Sequence, residues 1–450
     1  MPVLDSAQVR SASKLFAQAL SPPRLEKLAR EHGFFQRRRI VECSALFWAL
    51  TLTVGALSTR YISDVLRTLN GREGLALRYK PFWNRLSKRA FPKFMRALFG
   101  QLCEQLIVRV LARRGASAAD FFSEILLDDG SSFAVADGLR KVFPGRFTKV
   151  KPAAVELHAH MSLFSGMMVS VQLAADKETE RKFLPAPQTL PKRSLTLRDR
   201  GYIDLAYFAD LQGLDTYLIC RATKSITPTI TRVIAGLSRR DANRVRGKRL
   251  DELPKRMMKK DLDLLVQWER KGHTLHLRLV IRYVPEKKSR TLLLCNLLDT
   301  QRFDAETISQ LYRLRWQIEL VFKEWKSHAN LHALQSENPA IVEGFIWASL
   351  CAAMIKRSLA HCAQLAAQDV IVSTHIAAMA GPQILPLLAT AAEQRFALRY
   401  FTAILAFLAN NAQRAHPRRD AARLNHVGLT LAVTPLSTST PPAPRRRIAR

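Results

Sequence analysis

The chain has 450 residues, 48% of them apolar, which is enough for buried cores and excludes a largely disordered chain. At about 100–200 residues per domain, several domains are expected. Seventy Lys and Arg oppose 37 Asp and Glu for a formal charge of +33. A compact protein gains nothing by repelling itself, so a polyanionic partner is expected, nucleic acid before an anionic membrane surface.

Residues 1–117 read as helical, with apolar residues recurring at three and four in 25–30, 61–69 and 92–99. Basic residues are dense here: Arg37, Arg38 and Arg39 in a row, then Arg72, Arg78, Lys80, Arg85, Lys88 and Arg89, with Tyr79, Phe82 and Trp83 among them. A helical DNA-binding domain and a plain helical bundle with a solvated basic face both fit this segment. The pattern changes after Gly115. Residues 125–136 form a short apolar run closed by turn residues, which predicts a buried strand. Strands at 155–161 and 167–173 follow, joined through Phe164, Ser165 and Gly166 as a hairpin. Two further strands are expected at 194–199 and 215–222, with a helix at 203–211 between them. Three hairpin-linked strands followed by alternating strand and helix predict a mixed α/β sheet.

Residues 239–260 carry ten Lys and Arg against three acids, and 262–269, 274–284 and 291–298 then read as three more strands. Helix returns from 305 to about 362, and further helices continue to about 411. The tail from Arg414 is basic, and 437–447 has the composition of a disordered segment. A membrane-spanning helix needs about 20 apolar residues, whereas the longest clean run, 45–57, has 13. The uncharged stretch 370–392 contains His375 and is interrupted by Gly381, Pro382 and Pro386. The N-terminal stretch lacks the apolar core of a secretory signal. Cys43, Cys103, Cys220, Cys295, Cys351 and Cys362 form no CxxC pair, which indicates neither a disulfide framework nor a zinc cluster. A soluble, cytosolic, strongly basic protein is expected.

One helix is expected over residues 308–328. Arg315, Glu319 and Lys326 follow Tyr312 by three, seven and fourteen residues, offsets that fall at roughly −60°, −20° and −40° from it. One face would then carry a hydroxyl, a guanidinium, a carboxylate and an ammonium. That stripe suits a metal held through Glu319 and phosphates gripped by Arg315 and Lys326; a solvated face of salt bridges is the plainer alternative. The carboxylates upstream shift the balance. Asp129 and Asp199 each close an apolar strand, where an acid is costly unless solvated, paired or bound to a cation. Two such strand ends and a helical Glu can converge on Mg²⁺ or Mn²⁺ through hard oxygen ligands.

Tyr312, Arg315, Glu319 and Lys326 at this spacing, preceded by Asp129 with Gly130 and by Asp199, Arg200, Gly201 and Tyr202, resemble the DDE transposases of bacterial insertion sequences. The insertion sequence 4 family, with its Tyr-Arg-Glu-Lys signature, is the nearest group. The resemblance covers about residues 120 to 355, with a looser match in the helical N-terminus. It implies an α/β fold with an RNase H-like catalytic core and mixed sheet, at 118–221 and 303–362. A β-rich insertion at 222–302, a helical DNA-binding domain at 1–117, C-terminal helices at 363–413 and a basic tail at 414–450 complete the layout. It also implies catalysis by Asp129, Asp199 and Glu319, which would hold two Mg²⁺ (or Mn²⁺) ions. Water would attack first and leave a 3′-hydroxyl at the element's end. That hydroxyl would then attack the opposite strand, forming a hairpin, or the target DNA. Arg315 and Lys326 would hold phosphates near the cut, and Tyr312 would contact a phosphate of the flipped or distorted strand. The implied partners are double-stranded DNA, as element ends and target, and a second copy of the chain on paired ends, with no membrane. The implied location is the bacterial cytoplasm, on the nucleoid. A structure-specific nuclease on the same core and an inactive DNA-binding repressor are the alternatives.

Several residues stand near these positions. Asp128 and Asp129 alternate onto opposite strand faces and either could be the first acid; the family's Asp-Gly pair selects Asp129. Asp137 is expected in a turn, His158 and His160 as ordinary strand residues, and Glu324 off the catalytic face. Trp316 could stack on a base, but core packing is the expectation for it and for Trp268.

Overall fold

The computed structural model describes residues 3–36, 40–56, 61–113, 115, 117–270, 273–328, 331, 336–367, 370–415 and 424–431. Arg37, Arg38, Arg39 and the segment 437–450 lie outside the described residues. The chain opens with helices α1 (Ser6–Ala19), α2 (Pro22–Glu31), α3 (Cys43–Gly55), α4 (Ile62–Glu73), α5 (Tyr79–Leu86) and α6 (Ala90–Gln105). Local chemistry sets their ends: the Asp5 carboxylate accepts the Ala7 N–H at 2.7 Å, Pro22 starts α2, and Gly74 ends α4 at a φ of 63°. Strand β1 (Leu111–Arg113) follows and pairs antiparallel with the distant β11 (Leu429–Leu431).

The sheet is built from β2 (Glu124–Ala134), β3 (Ala154–Ser162), β4 (Met168–Ala175), β5 (Ser194–Arg198), β6 (Thr216–Ala222), β7 (Thr229–Ala235), β8 (Leu262–Arg270), β9 (His273–Val284) and β10 (Ser289–Cys295). Among the described residues these nine strands form one mixed sheet in the order β4-β3-β2-β5-β6-β10-β9-β8-β7. The β2–β3 and β3–β4 pairs are antiparallel; β2–β5 and β5–β6 are parallel. Helix α7 (Leu205–Asp210) crosses from β5 to β6, and α8 (Arg239–Val245) lies in the basic stretch before β8. The strands at 262–295 thus extend the sheet, because β10 docks antiparallel on β6 with Leu294 opposite Cys220. The sequence reading missed β7, although the β-branched run from Thr229 to Ile234 carries the signal.

After the sheet come α9 (Ala305–Arg313), α10 (Trp316–His328), α11 (Pro339–Ala366), α12 (Thr374–Met379), α13 (Gly381–Glu393) and α14 (Leu398–Asn411). The helix expected over 308–328 is therefore two helices. At Leu314 and Arg315 the backbone tightens into i→i−3 bonds: Leu314 N–H to Leu311, Arg315 N–H to Tyr312 and Ile318 N–H to Arg315. Helix α11 is long and apolar enough to span a membrane, but 78% of that stretch is buried inside the protein. It packs against α3, α6 and α14. The approach to α6 is close, since a Cβ on Gly344 would lie 2.1 Å from the ring of Phe91.

Two apolar cores flank the sheet. One joins the helices to the face bearing Ile125, Leu127, Leu195 and Leu197, and receives Ile318, Val321, Phe322 and Trp325 of α10. The other lies under the opposite face, among Leu126, Leu218, Phe208 and the strands at 262–294. Buried ion pairs stitch the sheet. Arg278 binds Asp263 at 2.8 Å and also donates to the Phe303 carbonyl, which fixes the approach to α9.

Candidate active site

Period-two alternation sorts the acids. Asp129 shares its face with Ile125 and Leu127, and Asp199 with Leu195 and Leu197, so both point toward the side that α10 covers. The parallel register sets Asp128 opposite Arg198, which brings the next residues, Asp129 and Asp199, side by side. Helix α10 supplies Glu319 from above.

Arg315 and Tyr312 tie the three acids together. One Arg315 nitrogen donates to Asp129 at 2.7 Å, and another donates to Glu319. The Tyr312 hydroxyl donates to Asp199 at 3.4 Å, and Arg221 stands 3.7 Å from the same carboxylate. The i→i−3 turn at Arg315 aims its planar fork at two carboxylates at once, a reach that Lys lacks. Burial pushes the Asp129 carboxyl up to about 6; Arg315 and the Gly130 N–H oppose the shift, while Asp199 and Glu319 add to it. Burial likewise raises the Tyr312 hydroxyl. For Arg315, burial works against the charge, but Asp129, Tyr312 and Asp199 outweigh it and hold the guanidinium protonated.

A side chain at either glycine of the two Asp motifs would meet the flexible end of a neighbouring glutamate. A Cβ on Gly130 would come within 2.8 Å of the Glu156 carboxylate and 3.3 Å of the Tyr202 hydroxyl. One on Gly201 would fall 1.5 Å from the Glu180 carboxylate. Neither Glu156, Glu180 nor Arg221 was singled out from the sequence. Arg221 had a signal, as an arginine closing the strand next to the one that ends at Asp199.

The other expected residues lie as follows. Lys326 is exposed two turns beyond Glu319, about 10 Å along α10; desolvation and Lys151 lower its pKa, with Glu156 opposing. Trp316 is 51% exposed, so core packing does not hold for it. Trp268 is partly buried against the second core. Asp128 lies on the far face, buried, and accepts from Arg198 at 2.6 Å and pairs with His160. His158 stacks on Phe183 with centroids 3.9 Å apart, and Glu324 pairs with Arg357 at 2.7 Å. Asp137 starts a 3₁₀ turn.

Three carboxylates converging from two strands and a helix, with Asp129 held above its usual range, are the hard oxygen donor chemistry of a divalent cation. Among the described residues no three acids or histidines stand close enough to share an ion as placed, and the Arg315 guanidinium forms the bridge between Asp129 and Glu319. The donor set fits a divalent metal; Arg315 is the cation that now stands among the acids.

Residues 121–355 match the family described as Transposase DDE domain. The chain belongs to this family. The matched span, more than half of the chain, runs from just before β2 to the middle of α11 and contains Asp129, Asp199, Tyr312, Arg315, Glu319 and Lys326. Among curated relatives, the transposase for insertion sequence element IS231B of Bacillus thuringiensis subsp. berliner is 23% identical over 382 residues, covering 76% of this chain and 78% of its own. The transposase for insertion sequence element IS1151 of Clostridium perfringens is 18% identical over 395 residues, covering 78% and 81%. Among solved structures, the piggyBac transposase synaptic complex with hairpin DNA superposes with a TM-score of 0.43 at 12% identity, over 91% of this chain and 86% of its own. That score is too low to bear on the fold. The resemblance drawn from the Asp, Asp and Glu motifs thus holds at the level of the DDE transposase.

Proposed function

We propose that this DDE transposase cuts DNA at the ends of an insertion sequence and joins the freed 3′-hydroxyls to target DNA, with Asp129, Asp199 and Glu319 as its catalytic acids. The observation that carries the reading is the bridge of Arg315 and Tyr312 across those three carboxylates. An RNase H-like core is supported by the strand order β4-β3-β2-β5-β6 with its antiparallel and parallel pairs, and by acids on the central two strands. The insertion sequence 4 assignment rests on the Tyr-Arg-Glu-Lys spacing alone. On this reading 222–302 is the insertion into the catalytic core, 1–117 binds the element's ends, and 363–413 and 414–450 are its C-terminal helices and basic tail. The protein works on the nucleoid in the bacterial cytoplasm, as a dimer on paired ends.

Phosphodiester hydrolysis adds a water oxygen to phosphorus and releases a 3′-oxygen, and negative charge accumulates on the phosphate in between. Arg315, which stands among the acids, and Lys326, two turns beyond Glu319 on α10, offset that charge. Tyr312 leaves Asp199 to donate its hydroxyl to a phosphate of the distorted strand. In the DNA-free protein Arg315 neutralises Asp129 and Glu319; when substrate enters, its fork turns to phosphate oxygens, which offer the same bidentate geometry. Asp129, Asp199 and Glu319 would hold two divalent cations (Mg²⁺ or Mn²⁺), which when bound would supply activation of the attacking oxygen and charge stabilisation of the leaving one. Trp316, half-exposed at the start of α10, is free of the core and available to stack on a displaced base.

A cleavage assay tests the proposal, on a duplex taken from the genomic flanks of the gene, with Mg²⁺ or EDTA. Metal-dependent nicking by the wild type that Glu319→Gln abolishes, with DNA binding retained, is the expected result. Hairpin-capped products are expected on the second strand. Binding without cleavage, with paired ends supplied, would overturn the catalytic reading in favour of a DNA-binding repressor.

A further inference from the structure

The aromatic and basic cluster of the N-terminal helices takes no part in the chemistry above, yet it lines a cavity of about 690 Å³. Tyr61, Tyr79 and Trp83 form one wall, and Ser336, Glu337 and Asn338, just before α11, form the other. Tyr61 and Tyr79 are 50% and 49% exposed, which leaves both rings accessible from solvent. Lys80 holds its ammonium 5.1 Å from the Trp83 ring centroid, and Arg78 is exposed beside Tyr79. The space exceeds a nucleobase and the rings give it π-faces; Arg78 and Lys80 flank the lining residue Tyr79 in sequence without lining the cavity themselves. Glu337 lies among the lining residues, so the cavity repels phosphate and favours a neutral ring. Its carboxylate can accept only from a donor edge, such as the exocyclic amine of cytosine or adenine.

We propose that this cavity takes one unpaired nucleobase of the bound DNA, stacked on Tyr61, Tyr79 and Trp83, with the adjoining phosphates at Arg78 and Lys80. The first residues of α4, α5 and α11 (Ile62, Tyr79 and Pro339) all line the same cavity. The inference rests on the reading that the chain acts on DNA and adds a base-extruding site remote in sequence from the acids. Stacking is sequence-tolerant, so such a site reads the distortion of a DNA end rather than its sequence.

The test uses the full-length protein in EDTA with two duplexes, one fully paired and one carrying a single unpaired 2-aminopurine. Anisotropy gives affinity, and 2-aminopurine fluorescence reports stacking. Wild type should prefer the unpaired duplex by about fivefold or more and quench its probe, by the usual worth of one base–aromatic stack. Tyr61→Ala and Tyr79→Ala should each lose most of that preference, restore fluorescence and bind the paired duplex as wild type does. Tyr79→Phe, which keeps the π-face, should behave as wild type. Both tyrosines are half-exposed, so the fold survives their truncation, and equal paired-duplex affinity verifies it. Equal affinity of the wild type for both duplexes, or a preference that outlasts both alanine variants, would overturn the cavity proposal and leave the DNA reading intact. No binding to either duplex would overturn both.

Discussion

Asp128 and Asp129 are chemically identical neighbours, and replacing each with Asn should move stability in opposite directions. Burial works against the charge of Asp128, but His160 and Arg198 outweigh it and hold its carboxyl at about 2, against an ordinary 3.8. A depressed acid stabilises the fold at any pH above its unfolded pKa, and the contribution is lost as pH falls through about 2. At 1.36 kcal/mol per unit that is about 2 kcal/mol. Asp128→Asn also leaves the Arg198 guanidinium, whose side chain is 0% exposed, without its counter-ion, for a total loss of about 3–5 kcal/mol. Asp129 has the reverse sign. Its carboxyl is raised to about 6, so the folded state resists its ionisation. The penalty grows as pH climbs from the unfolded pKa toward 6 and is complete above it, at most about 3 kcal/mol. Asp129→Asn should therefore stabilise the metal-free protein by about 1–3 kcal/mol at pH 7.5, with the gain roughly halved at pH 5. Urea denaturation in EDTA, followed by circular dichroism at both pH values, measures the two variants against wild type. If Asp129→Asn proved less stable than wild type while Asp128→Asn was neutral, the assignment of the two faces would be wrong.

Three further outcomes follow from packing and hydrogen bonding. Gly344→Ala drives a methyl into the Phe91 ring at the contact of α11 with α6, and should cost about 1–3 kcal/mol in the same denaturation assay. Lys356, 1% exposed, donates its ammonium to the carbonyls of Gly55, His328 and Ala378 and so joins α3, α10 and α12. Lys356→Met should lower stability by about 2–4 kcal/mol, and earlier hydrogen exchange at the end of α10 would localise the loss. Trp316→Ala, at a half-exposed position, should shift stability by less than about 0.5 kcal/mol; a large loss would mean that the indole packs after all.

The acids were legible because each breaks a local rule that a purely structural residue would keep. Asp199 directly follows β5, whereas Asp129 lies in the middle of β2, which runs on past the expected strand end to Ala134; alternation puts Asp128 and Asp129 on opposite faces, and the Asp-Gly pair of the family resemblance chose between them. The strands from 125 to 222 were legible for the same reason, since apolar runs and turn residues are local signals. The break between α9 and α10 was not. Leu314 and Arg315 are good helix formers with no Gly or Pro beside them, so propensity argues for continuity. The contact made at the break is tertiary, Arg315 to Asp129, 186 residues earlier, and nothing local announces it. Docking of β10 on β6 was hidden in the same way, because pairing across the basic 239–260 stretch leaves no mark in either strand. Trp316 was expected in the core, as most tryptophans are, and is half-exposed instead.

Clustered carboxylates would be hard to hold on an apolar sheet face without a cation, and the chain carries its own. A Lys at 315 would meet one carboxylate as a point charge, leaving the other to be desolvated unpaired. The guanidinium satisfies both with parallel donors and remains protonated where an ammonium could be titrated by burial. The same fork fits a phosphate as well as it fits two carboxylates. On the proposed function, the residue that makes the acid cluster tolerable in the DNA-free protein is also the one that would leave it for substrate. For that exchange to be reversible, Arg315 must sit on a turn that can relax, and the i→i−3 bonds between α9 and α10 supply one where a continuous helix would not.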